Sequence, residues 1–168
     1  GGIFAALSET TADVAIEAIR CAKQHGTTVS YDLNYRPSLW KDCGGPDRAR
    51  EVNQTIAPLV DVLVGNEEDF HLALGVAGAK PDASGACPVA AYERLLGEVA
   101  KKYPQLNAAA VTLRTVRTAT RNDWTALCWY DGKIYAAPRR EDVEVLDRVG
   151  GGDAFMSGLI YGLLKTGD

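Results

Sequence analysis

Asp147-Arg148-Val149-Gly150-Gly151-Gly152-Asp153-Ala154-Phe155 joins an extended run, Val143 to Leu146, to a helix expected over Asp153 to Lys165. Gly167 stands where a C-cap belongs. Three glycines at a helix start let a ligand approach the backbone closely. The first turn offers free N–H groups and roughly half a positive charge, which makes an anion site, most naturally for phosphate. No Gly-Lys-Ser/Thr follows, so this is not a P-loop, and Phe155 occupies the place of the third glycine of a dinucleotide fingerprint. Asp153 reads in two ways. It is an acid favoured at a helix start by the dipole, or a base that takes a proton from an attacking hydroxyl in phosphoryl transfer.

Upstream, two periods alternate. Ala12, Ala15, Ile16, Ile19 and Ala22 fall at helical spacing and predict a helix from Thr11 to Gln24, with Thr10 or Thr11 as N-cap and Gly26 as stop. Thr27 to Leu33 reads as a buried strand and Asn34 to Pro46 as a loop. A helix from Asp47 to Ala57, a strand from Val60 to Val64 and a helix from Glu67 to Leu74 closed by Gly75 follow. Residues 75–88 read as a mobile surface loop. Tyr92, Leu95, Leu96, Val99 and Tyr103 form the clearest helical stripe. Ala108 to Leu113 is the next strand, and Asp131-Gly132 sets a hairpin between Trp124–Tyr130 and Lys133–Ala137. Strands alternating with helices predict a three-layer α/β/α sandwich around a mainly parallel sheet. Ligands of such sheets bind beyond the carboxyl ends of the strands. Asn34, Asn66, Arg114 and the glycine triplet all follow predicted strands, so all four are expected at one edge.

Composition narrows the classes. The 168 residues carry 18 Lys and Arg against 22 Asp and Glu, a net charge of −4, which argues against a nucleic-acid partner. Hydrophobic residues at 46% supply a core, and no apolar run reaches a membrane span. Cys21, Cys43, Cys87 and Cys128 form no C-x-x-C pair and have no histidine at zinc spacing. Scattered thiols without a signal peptide fit a cytoplasmic protein. His25 and His71 are isolated and read as ordinary surface or satisfied core residues.

The stretch Asp147 to Asp153, with Phe155, Gly158 and the apolar run to Leu164, resembles the D-T-x-G-A-G-D-x-F-x-x-G signature of the ribokinase-like (PfkB) sugar kinases, with Arg148 for Thr and Gly151 for Ala. Asp32-Leu33-Asn34-Tyr35-Arg36-Pro37-Ser38-Leu39-Trp40 is similar to the D-x-N-x-R-x-x-x-W stretch of that family, above all its 2-keto-3-deoxygluconate kinases. Asn66 to Asp69 resembles the N-x-x-E motif, with Asp69 one methylene shorter than the family Glu. Val111-Thr112-Leu113-Arg114 stands where the family has V-T-L-G, and together with Asn122-Asp123-Trp124 it again looks like a bacterial ketodeoxygluconate kinase.

The resemblance implies an ATP- and Mg²⁺-dependent kinase whose acceptor is a sugar acid, 2-keto-3-deoxygluconate. It makes Gly150, Gly151 and Gly152 the anion hole and Asp153 the general base. Arg36 and Asn34 would bind the substrate, Arg36 as a bidentate partner for a carboxylate. Asn66, Thr112 and Arg114 would contact the nucleotide, and Asp69 and Glu68 the metal. Family members are longer, so residues 1–168 are expected to form a single α/β kinase core truncated at both ends, without the lid sheet, from a parent expected to be a homo-oligomer. Two alternatives stay open: another ribokinase-like sugar or nucleoside kinase, and a non-catalytic nucleotide-binding fragment.

Overall fold

In the computed structural model, which describes residues 1–77, 89–147 and 149–166, a six-stranded mixed sheet carries helices on both faces. Along the chain, α1 (Gly2–Ala5) and α2 (Thr11–Gln24) precede β1 (Ser30–Asp32), α3 (Pro37–Trp40) and α4 (Gly45–Ile56). Then come β2 (Val62–Gly65), α5 (Glu67–Leu74), α6 (Val89–Lys102) and β3 (Ala108–Val116). The chain finishes with β4 (Arg121–Tyr130), β5 (Lys133–Ala136), β6 (Arg140–Glu144) and α7 (Gly151–Thr166).

Strands β1, β2 and β3 are parallel neighbours, as the β-α alternation requires. The remainder corrects the expectation of a mainly parallel sheet. β4 runs antiparallel to β3, and β5 and β6 both pair antiparallel with β4. The cause is connection length. Only residues 117–120 separate β3 from β4, and a parallel crossover needs a dozen or more residues. The Asp131-Gly132 hairpin has positive φ at both turn residues, 47° and 76°, the geometry of a type I′ turn.

Alternate residues of each strand enter opposite layers. Leu63, Ala109, Val111 and Leu127 join the larger core with the apolar faces of α2, α4, α5 and α6. Val62, Val64, Ala108 and Ala110 meet Phe155, Met156, Leu159, Ile160 and Leu163 of α7 on the other face. The expected stripe is fully used, since Tyr92, Leu95, Leu96 and Val99 of α6 and Tyr103 just beyond its end are all buried. On α4, Ala49, Val52, Asn53 and Ile56 line one face, and the Asn53 amide accepts from Tyr31 Oη at 3.0 Å and donates to Ala49 O at 2.7 Å.

Several boundaries differ from expectation. The Asn34–Pro46 segment is not all loop: Pro37 opens the single turn of α3, and Gly45 already starts α4. The first strand is shorter than Thr27–Leu33 and the third longer than Ala108–Leu113. The expected mobile loop over 75–88 lies mostly outside the described residues, as do Cys87 and the Gly167 cap. Cys21, Cys43 and Cys128 are free thiols. Among the described residues, no helix is long and apolar enough to cross a membrane.

Candidate functional site

Strand direction sets which loops converge. β6 is antiparallel to β4, which is antiparallel to β3, so β6 runs with the parallel strands and its carboxyl end shares their edge. The turn into α7, the β1–α3 loop and the β2–α5 junction therefore meet. A cavity of about 390 Å³ opens there, lined by Asn34, Arg36, Asn66, Asp69, Thr112, Gly150, Gly152 and Asp153, together with Asp32 and Phe155. A cavity of about 450 Å³ lies at the opposite edge, by Ser30, Val62 and Asn107. None of the expected site residues lines it, so chemistry favours the smaller space.

The glycine turn is built by three constraints. Asp147 Oδ1 accepts from Val149 N at 2.9 Å and folds the approach to the helix. Gly150 sits at φ 82°, a conformation that an L side chain rarely adopts. Ala154 N donates to Gly150 O at 2.8 Å, the first bond of α7, leaving the N–H groups of the first turn facing forward. A Cβ on Gly151 would lie 2.9 Å from Trp124 Cη2, whereas one on Gly152 would meet nothing within 4 Å. Gly151 thus seats the turn on the sheet, while Gly152 faces the cavity. Asp153 is exposed on the first turn.

At the facing wall, Asn34 is left-handed with φ 35°, a conformation Asn tolerates. Asp69 ties this wall to the next strand. Its Oδ1 accepts from Tyr35 N at 2.9 Å and its Oδ2 from Asn66 N at 2.9 Å, while Asn66 Oδ1 accepts from Asp69 N at 2.8 Å. The last two bonds form a capping box at the start of α5. Arg36 donates through Nη1 to Tyr35 O at 2.9 Å, beside the cavity.

Asp32, to which the motifs assign no role, also belongs to this wall. Burial raises its pKa, the carboxylates of Asp69 and Asp153 raise it further, and the Asn34 N–H opposes them. Burial also raises the pKa of Asp69, against the N–H groups of Asn66 and Tyr35 and the Arg36 charge. The signal for Asp32 was present: it occupies the carboxyl end of a parallel strand, two residues before Asn34.

Three expected residues stand apart. Arg114 does not follow its strand but lies within β3, exposed and paired in register with Trp124. Glu68 is exposed and does not line the cavity. Gly151 packs on Trp124. Among the described residues, no group of three or more His, Cys, Asp or Glu is arranged to hold a metal ion. Both Asp69 oxygens already accept backbone donors.

The model of the pfkB family carbohydrate kinases matches residues 2–168. A 2-dehydro-3-deoxygalactonokinase of Haloferax volcanii is 32% identical over 163 residues, 97% of this chain and 43% of the relative. A 5-dehydro-2-deoxygluconokinase of Clostridium perfringens is 28% identical over 93% of this chain and 40% of its own. The crystal structure of 2-dehydro-3-deoxygluconokinase from Thermotoga maritima superposes with TM-score 0.79 at 32% identity, covering 94% of this chain and 46% of that one. The chain thus spans less than half the length of these relatives.

Proposed function

The chain belongs to the pfkB family of carbohydrate kinases, and from that premise we propose that its protein transfers the γ-phosphoryl group of ATP to a hydroxyl of a deoxy keto sugar acid, 2-keto-3-deoxygluconate in the first instance. The relatives' names support that substrate class, since they describe dehydro-deoxy gluconate or galactonate kinases. The observation that carries the proposal is the convergence of Asn34, Arg36, Asp153 and the glycine turn on one cavity at the carboxyl edge of the sheet.

In this reading Arg36 and Asn34 hold the acceptor, the guanidinium facing its carboxylate. The first-turn N–H groups over Gly150, Gly151 and Gly152 face the charge on the transferred phosphoryl oxygens. Asp153 accepts the hydroxyl proton late, as a weak base suits a loose transition state. Asn66, Thr112 and Arg114 contact the nucleotide. Asp69 would hold Mg²⁺ through its water shell, the metal neutralising charge on the phosphates, while Glu68, outside the cavity, takes no part.

Asp153→Asn in the full-length protein tests the assignment. Turnover in a coupled ADP-release assay should fall at least about 100-fold, the scale of a lost general base, with ATP binding nearly unchanged. Near-normal turnover would sink it.

A further inference from the structure

We propose that Arg114 and Arg140, in register on either side of Trp124, clamp the non-transferred phosphates of the nucleoside triphosphate. The inference rests on the kinase reading and extends the donor site to two residues, Trp124 and Arg140, that the motifs do not single out.

Trp124 pairs with Arg114 of β3 on one side and with Arg140 of β6 on the other. Directly paired residues project from the same face of a sheet, so the three form a row. With strands about 4.8 Å apart, the two arginine Cα atoms are about 10 Å apart, and the indole lies between them. The row stands on the face covered by α7, because Thr112, two residues before Arg114, lines the cavity, and the Trp124 ring meets Gly151. Arg114 and Arg140 therefore stand on either side of the tryptophan on which the glycine turn is seated.

Charge pairing separates these two arginines from their neighbours. Arg117 and Arg139 both reach Asp123, at 2.6 and 2.8 Å, on the opposite face, and both also approach Glu141. Arg121 pairs with Asp142 at 2.9 Å. An irregularity in the β4–β6 register, with Asp142 at φ 53°, lets Asp142 N and Arg139 both reach Asp123 while Arg140 stays beside Trp124. Among the described residues, Arg114 and Arg140 enter no ion pair or side-chain hydrogen bond. Two uncompensated guanidiniums spaced by a rigid aromatic suit a flexible polyanion, each fork taking phosphate oxygens in a bidentate manner.

Strand order also divides the two substrates. Arg36 follows β1 at one end of the sheet, and the row lies on β3, β4 and β6 at the other, with the start of α7 between them. The arrangement places the acceptor's carboxylate and the donor's phosphates on opposite flanks of the transferred group.

The test is calorimetric binding of ATP, ADP, adenosine and inorganic tripolyphosphate to the full-length protein. Arg140→Ala and Arg114→Ala should each weaken ATP, ADP and tripolyphosphate by about tenfold or more, the scale of a lost charge-assisted bond, and leave adenosine unchanged. Arg121→Ala removes an equal charge nearby and should leave all four unchanged. Arg140→Lys should recover only part of the loss, because the fork is gone. Thermal midpoints close to wild type confirm that these exposed substitutions keep the fold. If wild type binds ATP and Arg140→Ala binds it and tripolyphosphate equally well, the clamp is refuted and the kinase reading stands. A wild-type protein that binds no ATP overturns both.

Discussion

Asp69→Ala should both destabilise the protein and slacken the acceptor wall, because this one carboxylate joins two loops. It is 5% exposed and accepts from Tyr35 N and Asn66 N, each at 2.9 Å. Truncation leaves both donors without their acceptor. An orphaned buried donor costs about 1–3 kcal/mol, so the pair costs about 2–6 kcal/mol. Relief of a carboxylate whose charged form burial disfavours returns part of this, and a net loss of about 3 kcal/mol is expected. Asn66→Ala, which removes only the acceptor of Asp69 N, should cost about 1 kcal/mol. Urea unfolding followed by tryptophan fluorescence reads both, since Trp40 is 2% exposed and unfolds into water. KM for the acceptor should rise in Asp69→Ala, because the Asn34–Arg36 segment loses its tie to α5. A loss below about 1 kcal/mol, or one no larger than that of Asn66→Ala, would refute the account, since two donors cannot cost less than one.

Three further substitutions probe the same wall and turn. Gly152→Ala should stabilise by about 0.4–1 kcal/mol, the usual gain at a compatible site, yet lower turnover by filling the phosphate's space. Gly151→Ala should destabilise by about 1–3 kcal/mol as Trp124 is pushed aside, and melting curves beside the kinase assay separate the two. Asp32→Asn tests the cluster by pH. The folded pKa of Asp32 is raised, so its contribution to stability is complete below the ordinary value of 3.8 and is lost as pH rises through the folded value. The variant lacks that loss and should therefore gain on wild type as pH rises above about 4. A thermal-midpoint gap that moves the other way would contradict the assignment.

Local chemistry made much of this molecule legible in the sequence. The α2 limits and the α5 limits with their closing Gly75 follow from periodicity and terminal residues. The Asp131-Gly132 turn follows from the φ preference of its pair. The strand misreadings share one cause, which is that pairing partners extend or redirect a segment. Arg114 to Val116 look like the residues after a strand, yet Asn122, Asp123 and Trp124 supply a ladder that keeps them extended. The spacing from Leu113 to Trp124 was too short for a crossover helix, and that signal would have exposed the antiparallel half. α3 was hidden because proline and glycine dominate the composition of its surroundings, although Pro37 at the first helical position is itself a start signal. For the site, the glycine turn, Asn34, Arg36 and Asp153 were readable as motifs. Asp32 was missed because its importance comes from convergence with Asp69 and Asp153 across three loops.

The two faces of the sheet are packed very differently, and that asymmetry bears on ligand coupling. Leu95, Leu96 and Val99 of α6 are sealed in the larger core. The apolar residues with which α7 meets the sheet are only partly buried, and Tyr161 and Leu164 are exposed. Within this chain, then, α7 is expected to undock at a lower free energy than the α4–α6 layer, which earlier exchange of its amides would show. The glycine turn and Asp153 ride on that helix. Any anion that requires the docked turn adds its binding free energy to the docking equilibrium, about 2.7 kcal/mol at a concentration 100 times Kd. If the turn takes phosphate as proposed, binding and helix immobilisation become one thermodynamic event, and protection of the α7 amides would serve as a titration curve for the ligand.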